Sequence, residues 1–222
     1  MEPTAVAIMA KAPQAGAVKT RLCPPLSFAE AEALYRCFLL DKIEQVRSLT
    51  TACPAIAYAP PEGRAFFEAV APGFALVAQR GADLGDRLAN SLGELLKRGH
   101  QGAIAIDSDT PTLPLAFLRQ ALELVMTPSI DVVLGPTEDG GYYLIGLRTV
   151  YRELFETMAW STSTVLSETI RRAEANGLRV ACLPCWYDID TARDLARLRA
   201  TLAGSAGELP RHTRGLLLEH TK

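Results

Sequence analysis

The segment Ala103-Ile104-Ala105-Ile106 is apolar at every position and ends abruptly in Asp107-Ser108-Asp109. A half-buried strand alternates apolar and polar residues, whereas a strand apolar on both faces needs cover on both. That is the condition of a central strand in a mainly parallel sheet with helices above and below. Two carboxylates directly at its carboxyl end cannot join the core, and ligands bind at that end of open α/β sheets. One short run thus restricts the fold to layered α/β and marks the sheet edge where chemistry belongs.

The remaining pattern agrees. Strands are read at Ala5 to Met9, Ala55 to Ala59, Ala75 to Gln79, Val132 to Gly135, Tyr142 to Leu147 and Leu178 to Leu183. Helix-period segments lie between them. Ser27 and Glu30 form a capping box before a stripe of Tyr35, Leu39, Ile43 and Val46. Leu84, Leu88, Leu92 and Leu95 form a second stripe, and Pro114 suits the first turn of a helix with Leu115, Leu118, Leu122 and Val125. A helix from Thr164 to Ala175 stops at Asn176-Gly177, and Thr191 with Asp194 caps another that carries Leu195, Leu198 and Leu202. Such alternation builds βαβ units. We expect one domain over residues 1–203 and a C-terminal tail, 204–222, whose Leu216 to Leu218 form a short docking helix.

Composition excludes several classes of function. With 23 basic against 25 acidic residues the net charge is −2, which lacks the footprint of a nucleic-acid binder. No apolar run approaches the ~20 residues of a membrane span. Met1-Glu2-Pro3-Thr4 has no basic region, so no signal peptide is expected. Five cysteines make no disulfide framework and fit a reducing, cytoplasmic setting. Cys182-x-x-Cys185 has the spacing of half a zinc site but no second pair, so buried free thiols are expected there. His100, His212 and His220 fall at helix ends or in the tail, leaving a Ser-His-Asp or Cys-His mechanism without its base.

Chemistry-bearing residues gather after strands. Two of the five lysines, Lys11 and Lys19, share the first loop with Gly16 and Arg21. Lysine and arginine supply charge for phosphate oxygens, and glycine allows close backbone approach. The loop is not a P-loop. Asp107 and Asp109 after the fourth strand, and Asp188 and Asp190 after the last, are paired carboxylates suited to a hard divalent cation that shares phosphate ligands. Asp109 also suits a turn cap, and Asp190 a helix cap. Glu138-Asp139-Gly140-Gly141-Tyr142 reads equally as a hairpin turn or as the wall of a substrate pocket.

Taken together, Ala10-Lys11-Ala12-Pro13, Gly16-x-Val18-Lys19-Thr20-Arg21-Leu22, Asp109-x-Pro111, Glu138-Asp139-Gly140-Gly141-Tyr142-Tyr143-Leu144-x-Gly146 and Asp188-Ile189-Asp190-Thr191-x-x-Asp194-Leu195 resemble the selenodomain-associated transferase family. These ordered motifs span about residues 5 to 200. The family is similar to 2-phospholactate and molybdenum-cofactor guanylyltransferases, within the nucleotide-diphospho-sugar transferase (GT-A) superfamily. The resemblance implies a Rossmann-like GT-A α/β/α sandwich with a mainly parallel sheet. It implies a nucleotide held by Lys11, Gly16, Lys19 and Arg21, with Gln79 and Gly81 in the base-reading loop. Lys19, Arg21 and Asp109 would be catalytic. Asp109 and Asp190, with Asp107 and Asp188 in support, would hold Mg²⁺ or Mn²⁺. Glu138, Asp139, Gly140, Gly141 and Tyr142 would shape the acceptor pocket. The expected activity is metal-dependent nucleotidyl transfer from a nucleoside triphosphate to a small phosphorylated acceptor. A glycosyltransferase using a nucleotide-sugar and a catalytically idle nucleotide-binding domain are the alternatives. Expected partners are the nucleotide and a small acceptor, and a homodimer is allowed.

Overall fold

The computed structural model describes residues 2–204 and 210–219. Its strands are β1 (Ala5–Lys11), β2 (Cys53–Ala59), β3 (Ala75–Ala78), β4 (Ala103–Ile106), β5 (Val132–Pro136), β6 (Tyr142–Leu147) and β7 (Val180–Cys182). Its helices are α1 (Phe28–Arg47), α2 (Arg64–Val70), α3 (Leu84–Lys97), α4 (Leu115–Met126), α5 (Val165–Ala175), α6 (Ala192–Gly204) and α7 (Arg211–Arg214). The strands form one sheet in the order β3-β2-β1-β4-β6-β5-β7. Only β6 runs against the others, as the return strand of a hairpin with β5. The fold is therefore the α/β sandwich with a mainly parallel sheet expected from the sequence.

Side-chain size divides the two faces of the sheet. Val6 and Ile8 of β1 and Ile104 and Ile106 of β4 point to the face covered by α1, α2 and α4, against Leu39, Ile43, Phe67, Leu118 and Val125. Their neighbours Ala5, Ala7, Ala103 and Ala105 point to the other face, where Leu88, Leu92 and Leu95 of α3 pack. Alanines there let α3 lie close to the sheet, while the branched residues fill the wider opposite layer. The capping box at α1 forms as read: Ser27 Oγ accepts from the Glu30 backbone N–H at 3.2 Å, and Glu30 accepts from the Ser27 N–H at 2.8 Å.

Two expectations need correction. The last strand covers only Val180–Cys182, rather than reaching from Leu178 to Leu183. It is the outermost strand, so Cys182 and the following Cys185 are exposed free thiols, not buried ones. In the tail, residues 205–209 and 220–222 lie outside the described residues. The described part docks through α7 and a π-helical turn, Gly215–Glu219, with Leu217 buried among Leu34, Phe38 and Leu198. Asp41 of α1 fixes this seam by accepting from the backbone N–H groups of His212 and Thr213, both at 2.9 Å, and from Thr213 Oγ1 at 2.6 Å.

Candidate active site

Because β1 and β4 are adjacent and parallel, the loops after them meet at one sheet edge. The first loop does not project into solvent. Val18 and Leu22 are buried, Leu22 among Leu34, Phe38, Ile189 and Leu195, and between these anchors Lys19 turns inward. Its backbone lies in the left-handed region, φ 48° and ψ 34°, which is strained for a residue with a side chain. The Asp190 segment is drawn to the same place, because the Ile189 N–H donates to the Asp109 carbonyl at 3.1 Å.

Lys19 Nζ lies 2.9 Å from Asp109 Oδ1, 2.8 Å from Asp190 Oδ1 and 2.8 Å from the Ile189 carbonyl. The lysine side chain is 5% exposed, against 36% and 34% for its two carboxylates. Burial alone would depress the ammonium's pKa, but the two aspartates outweigh it and raise the value. Asp109 Oδ1 is buried without an aligned hydrogen bond, so the ion pair is its stabilising contact. Arg21 approaches Asp190 Oδ2 at 3.4 Å from solvent, with its side chain 70% exposed. Lys19 thus binds carboxylates here rather than reaching out for phosphate.

Behind this group is a buried ammonium that the sequence reading missed. Lys42 Nζ donates to the Thr110 carbonyl at 2.9 Å, to Thr110 Oγ1 at 3.0 Å and to Gln45 Oε1 at 3.1 Å. Asp107 Oδ1 accepts from Thr110 Oγ1 at 2.6 Å, so Asp107 serves the turn that carries Asp109. Burial pushes the Asp107 carboxyl up to about 6, against the pull of Lys42. Burial likewise pushes Asp188 up to about 7, with Asp190, Asp139 and Asp107 adding like charge. Tyr35 completes the support: its hydroxyl takes the Lys11 N–H at 3.0 Å and meets Ser108 Oγ at 3.1 Å.

These groups border a cleft of about 500 Å³ lined by Lys11, Lys19, Arg21, Gln79, Asp107, Asp109 and Asp190, together with Tyr35, Leu84 and Arg87. Gln79 donates to the Ala57 and Ala10 carbonyls at 2.7 and 3.3 Å, tying the ends of β2 and β1 together. Gly81, at φ 139°, lets the next turn pass so tightly that a Cβ would meet Asp86 at 2.1 Å. Gly16, Gly81, Asp188 and residues 138–142 are outside the lining. Of these last, Glu138 is engaged with Arg197 of α6 at 2.6 and 3.0 Å. Asp139 accepts within its own turn, from Thr137 Oγ1 at 2.5 Å and the Gly141 N–H at 3.0 Å. Tyr142 packs edge-on against Trp160, its hydroxyl buried. This turn approaches the carboxylate group through Asp139 and Asp188. A larger hollow of about 590 Å³ beside α3 has Glu94 as its only carboxylate, and Arg98 already holds it at 3.2 Å.

The donor set fits a hard divalent cation. Asp107, Asp109, Asp139, Asp188 and Asp190 lie near enough at one end of the sheet to act on one another's charge, and the Lys19 ammonium stands between two of them, one oxygen of each facing it. Asp41, Glu44 and His212 also come together, but they are occupied in the seam that docks α7.

Residues 42–162 match the family described as an uncharacterized protein conserved in bacteria (DUF2064). A candidate nucleotide-diphospho-sugar transferase from Desulfovibrio desulfuricans G20 superposes with a TM-score of 0.90 at 31% identity, covering 99% of this chain and 95% of that one. CMP:2-keto-3-deoxy-manno-octonic acid synthetase complexed with CTP has a TM-score of 0.59 at 13% identity, over 91% and 99% of the two chains. Glucosyl-3-phosphoglycerate synthase from Mycobacterium tuberculosis, in complex with Mn²⁺, UDP and phosphoglyceric acid, gives 0.53 at 13% identity, over 91% and 78%. The last two share the fold. No curated protein sequence matches the chain.

Proposed function

This chain belongs to the DUF2064 family, and from that premise we propose that it is a metal-dependent nucleotidyltransferase acting on a small phosphorylated acceptor. The observation that carries the reading is the Asp109–Lys19–Asp190 group at the rim of a cationic cleft. Lys11, Arg21 and Arg87 line that cleft and supply charge for a triphosphate, while Leu84, 44% exposed, offers an apolar surface to a base. Mg²⁺ or Mn²⁺ on Asp109 and Asp190 would supply Lewis-acid charge to the phosphates. An acceptor phosphate oxygen attacks the α-phosphorus, the bond to the bridging β-oxygen breaks, and pyrophosphate leaves. Such transfer depends mainly on positioning and on neutralising charge, and a phosphate nucleophile needs no strong base. That accords with a cleft lined without histidine.

Incubating the protein with Mg²⁺, each of the four common nucleoside triphosphates and a panel of phosphorylated small acceptors tests this. Acceptor-dependent pyrophosphate release is the expected result. Transfer from a nucleotide-sugar without pyrophosphate would replace it with glycosyl transfer, the reading supported by the neighbour bound to Mn²⁺ and UDP. Tight nucleotide binding without turnover of either donor would leave an idle binding domain.

A further inference from the structure

Lys19 fills the place that a metal would need. Its ammonium donates to Asp190 Oδ1 and to the Ile189 carbonyl and is ion-paired with Asp109 Oδ1, so one oxygen of each carboxylate faces it. A divalent cation binds carboxylate oxygen at about 2.0–2.6 Å and cannot share these two oxygens with an ammonium at that position. Val18 and Leu22 are buried on either side of Lys19, and the lysine itself holds a left-handed backbone, φ 48° and ψ 34°, of the kind found at functional sites. It also lines the cleft, next to the exposed Arg21 and Lys11.

From this geometry we infer that Lys19 is an internal cation that keeps the Asp109–Asp190 site closed to metal until a polyphosphate in the cleft gives the ammonium other oxygens to bind. The inference rests on the reading of the cleft as a nucleotide site. It makes metal and nucleotide mutually dependent through this chain's own residue, because a ligand shifts an equilibrium only by its different affinity for the two states. Free metal ions then leave the resting protein unoccupied, and the carboxylates open only when substrate is present.

The test is a titration with Mn²⁺, first without nucleotide and then with each of the four common nucleoside triphosphates against a protein-free control, followed by the paramagnetic resonance signal of the unbound ion. It compares wild type, Lys19→Met, Lys19→Gln, Lys19→Arg and Lys19→Met/Asp109→Asn, each checked for native circular dichroism. The two neutral variants are expected to bind one Mn²⁺ more tightly than wild type by roughly tenfold or more, in the usual range of coupling between sites. Lys19→Arg should remain weak, and the added Asp109→Asn should abolish the gain. Wild type binding Mn²⁺ as tightly as the neutral variants overturns the inference and leaves the metal site standing. So does wild type that binds only with a triphosphate, if the folded neutral variants gain nothing. Should no protein bind Mn²⁺, even with each of the four triphosphates present, the metal-centre reading itself falls.

Discussion

At Lys42 an ammonium group is carried into the space between α1 and the loop after β4, where it is 1% exposed. Burial lowers its pKa to about 8 from 10.5, despite Asp107 and Asp109 nearby. Between those two values the unfolded chain holds a proton that the folded chain has released, so folding stability rises with pH in that window. The difference in unfolding free energy between wild type and Lys42→Met should therefore move in favour of wild type from pH 8 to 10, by as much as a few kcal/mol. Chemical denaturation at stepped pH measures this, and a flat difference would place the lysine outside the core. At neutral pH Lys42→Met should cost about 2–4 kcal/mol, because Gln45 Oε1 and the Thr110 carbonyl lose their donor. Arg21 is the contrasting case: with its side chain 70% exposed, Arg21→Ala should leave the melting temperature unchanged. It should weaken nucleotide binding by roughly 1.5–3 kcal/mol, the scale of a charged hydrogen bond. Calorimetric titration checks that, and unaltered affinity would remove Arg21 from the site. Lys42 was in principle legible, since it lies four residues from both Phe38 and Val46 on a stripe that is otherwise apolar. The direction of Lys19 was not, because it depends on anchors at Val18 and Leu22 that only tertiary packing defines.

Elements were more legible than their arrangement. Hydrophobic period and capping residues locate α1, α3 and α4 to within a residue or two, since those signals act within a few positions of chain. The order of strands depends on which helices cover which face, and nothing local states that β6, rather than β5, lies beside β4. The hairpin between them is built on its turn. Gly140 has φ +89°, and a Cβ there would meet the Ser163 carbonyl oxygen at 2.1 Å. Gly140→Ala is thus expected to cost about 2 kcal/mol or more from backbone strain and steric overlap. Since Gly140 also accepts from the Leu166 N–H at 2.9 Å, the start of α5 should loosen with it. Amide exchange over residues 138–167 reads this directly, and native protection there would contradict the account. Of the segment 138–142, which the sequence allows as turn or as pocket wall, Asp139 accepts within its own turn and lies near enough to Asp188 to add like charge, while Glu138 reaches across to Arg197 of α6.

For the whole molecule, the sheet gathers at one edge residues far apart in the chain: Lys19, Asp109 and Asp190 are joined within 2.9 Å of one nitrogen. The sequence points to that edge because carboxylates follow apolar strands, while the ion pair itself is a product of the fold. If Asp109 and Asp190 act on one cation, losing either should remove nearly all the benefit of metal. The double variant should then lose little more, since groups acting as a unit are not additive. The direct measurement is nucleotide affinity with and without Mg²⁺ for wild type, Asp109→Asn, Asp190→Asn and the double variant. Wild type is expected to bind more tightly in Mg²⁺, and all three variants to show the same weak, metal-independent binding. Retained Mg²⁺ dependence in all four proteins, with only small additive losses of stability, would contradict it.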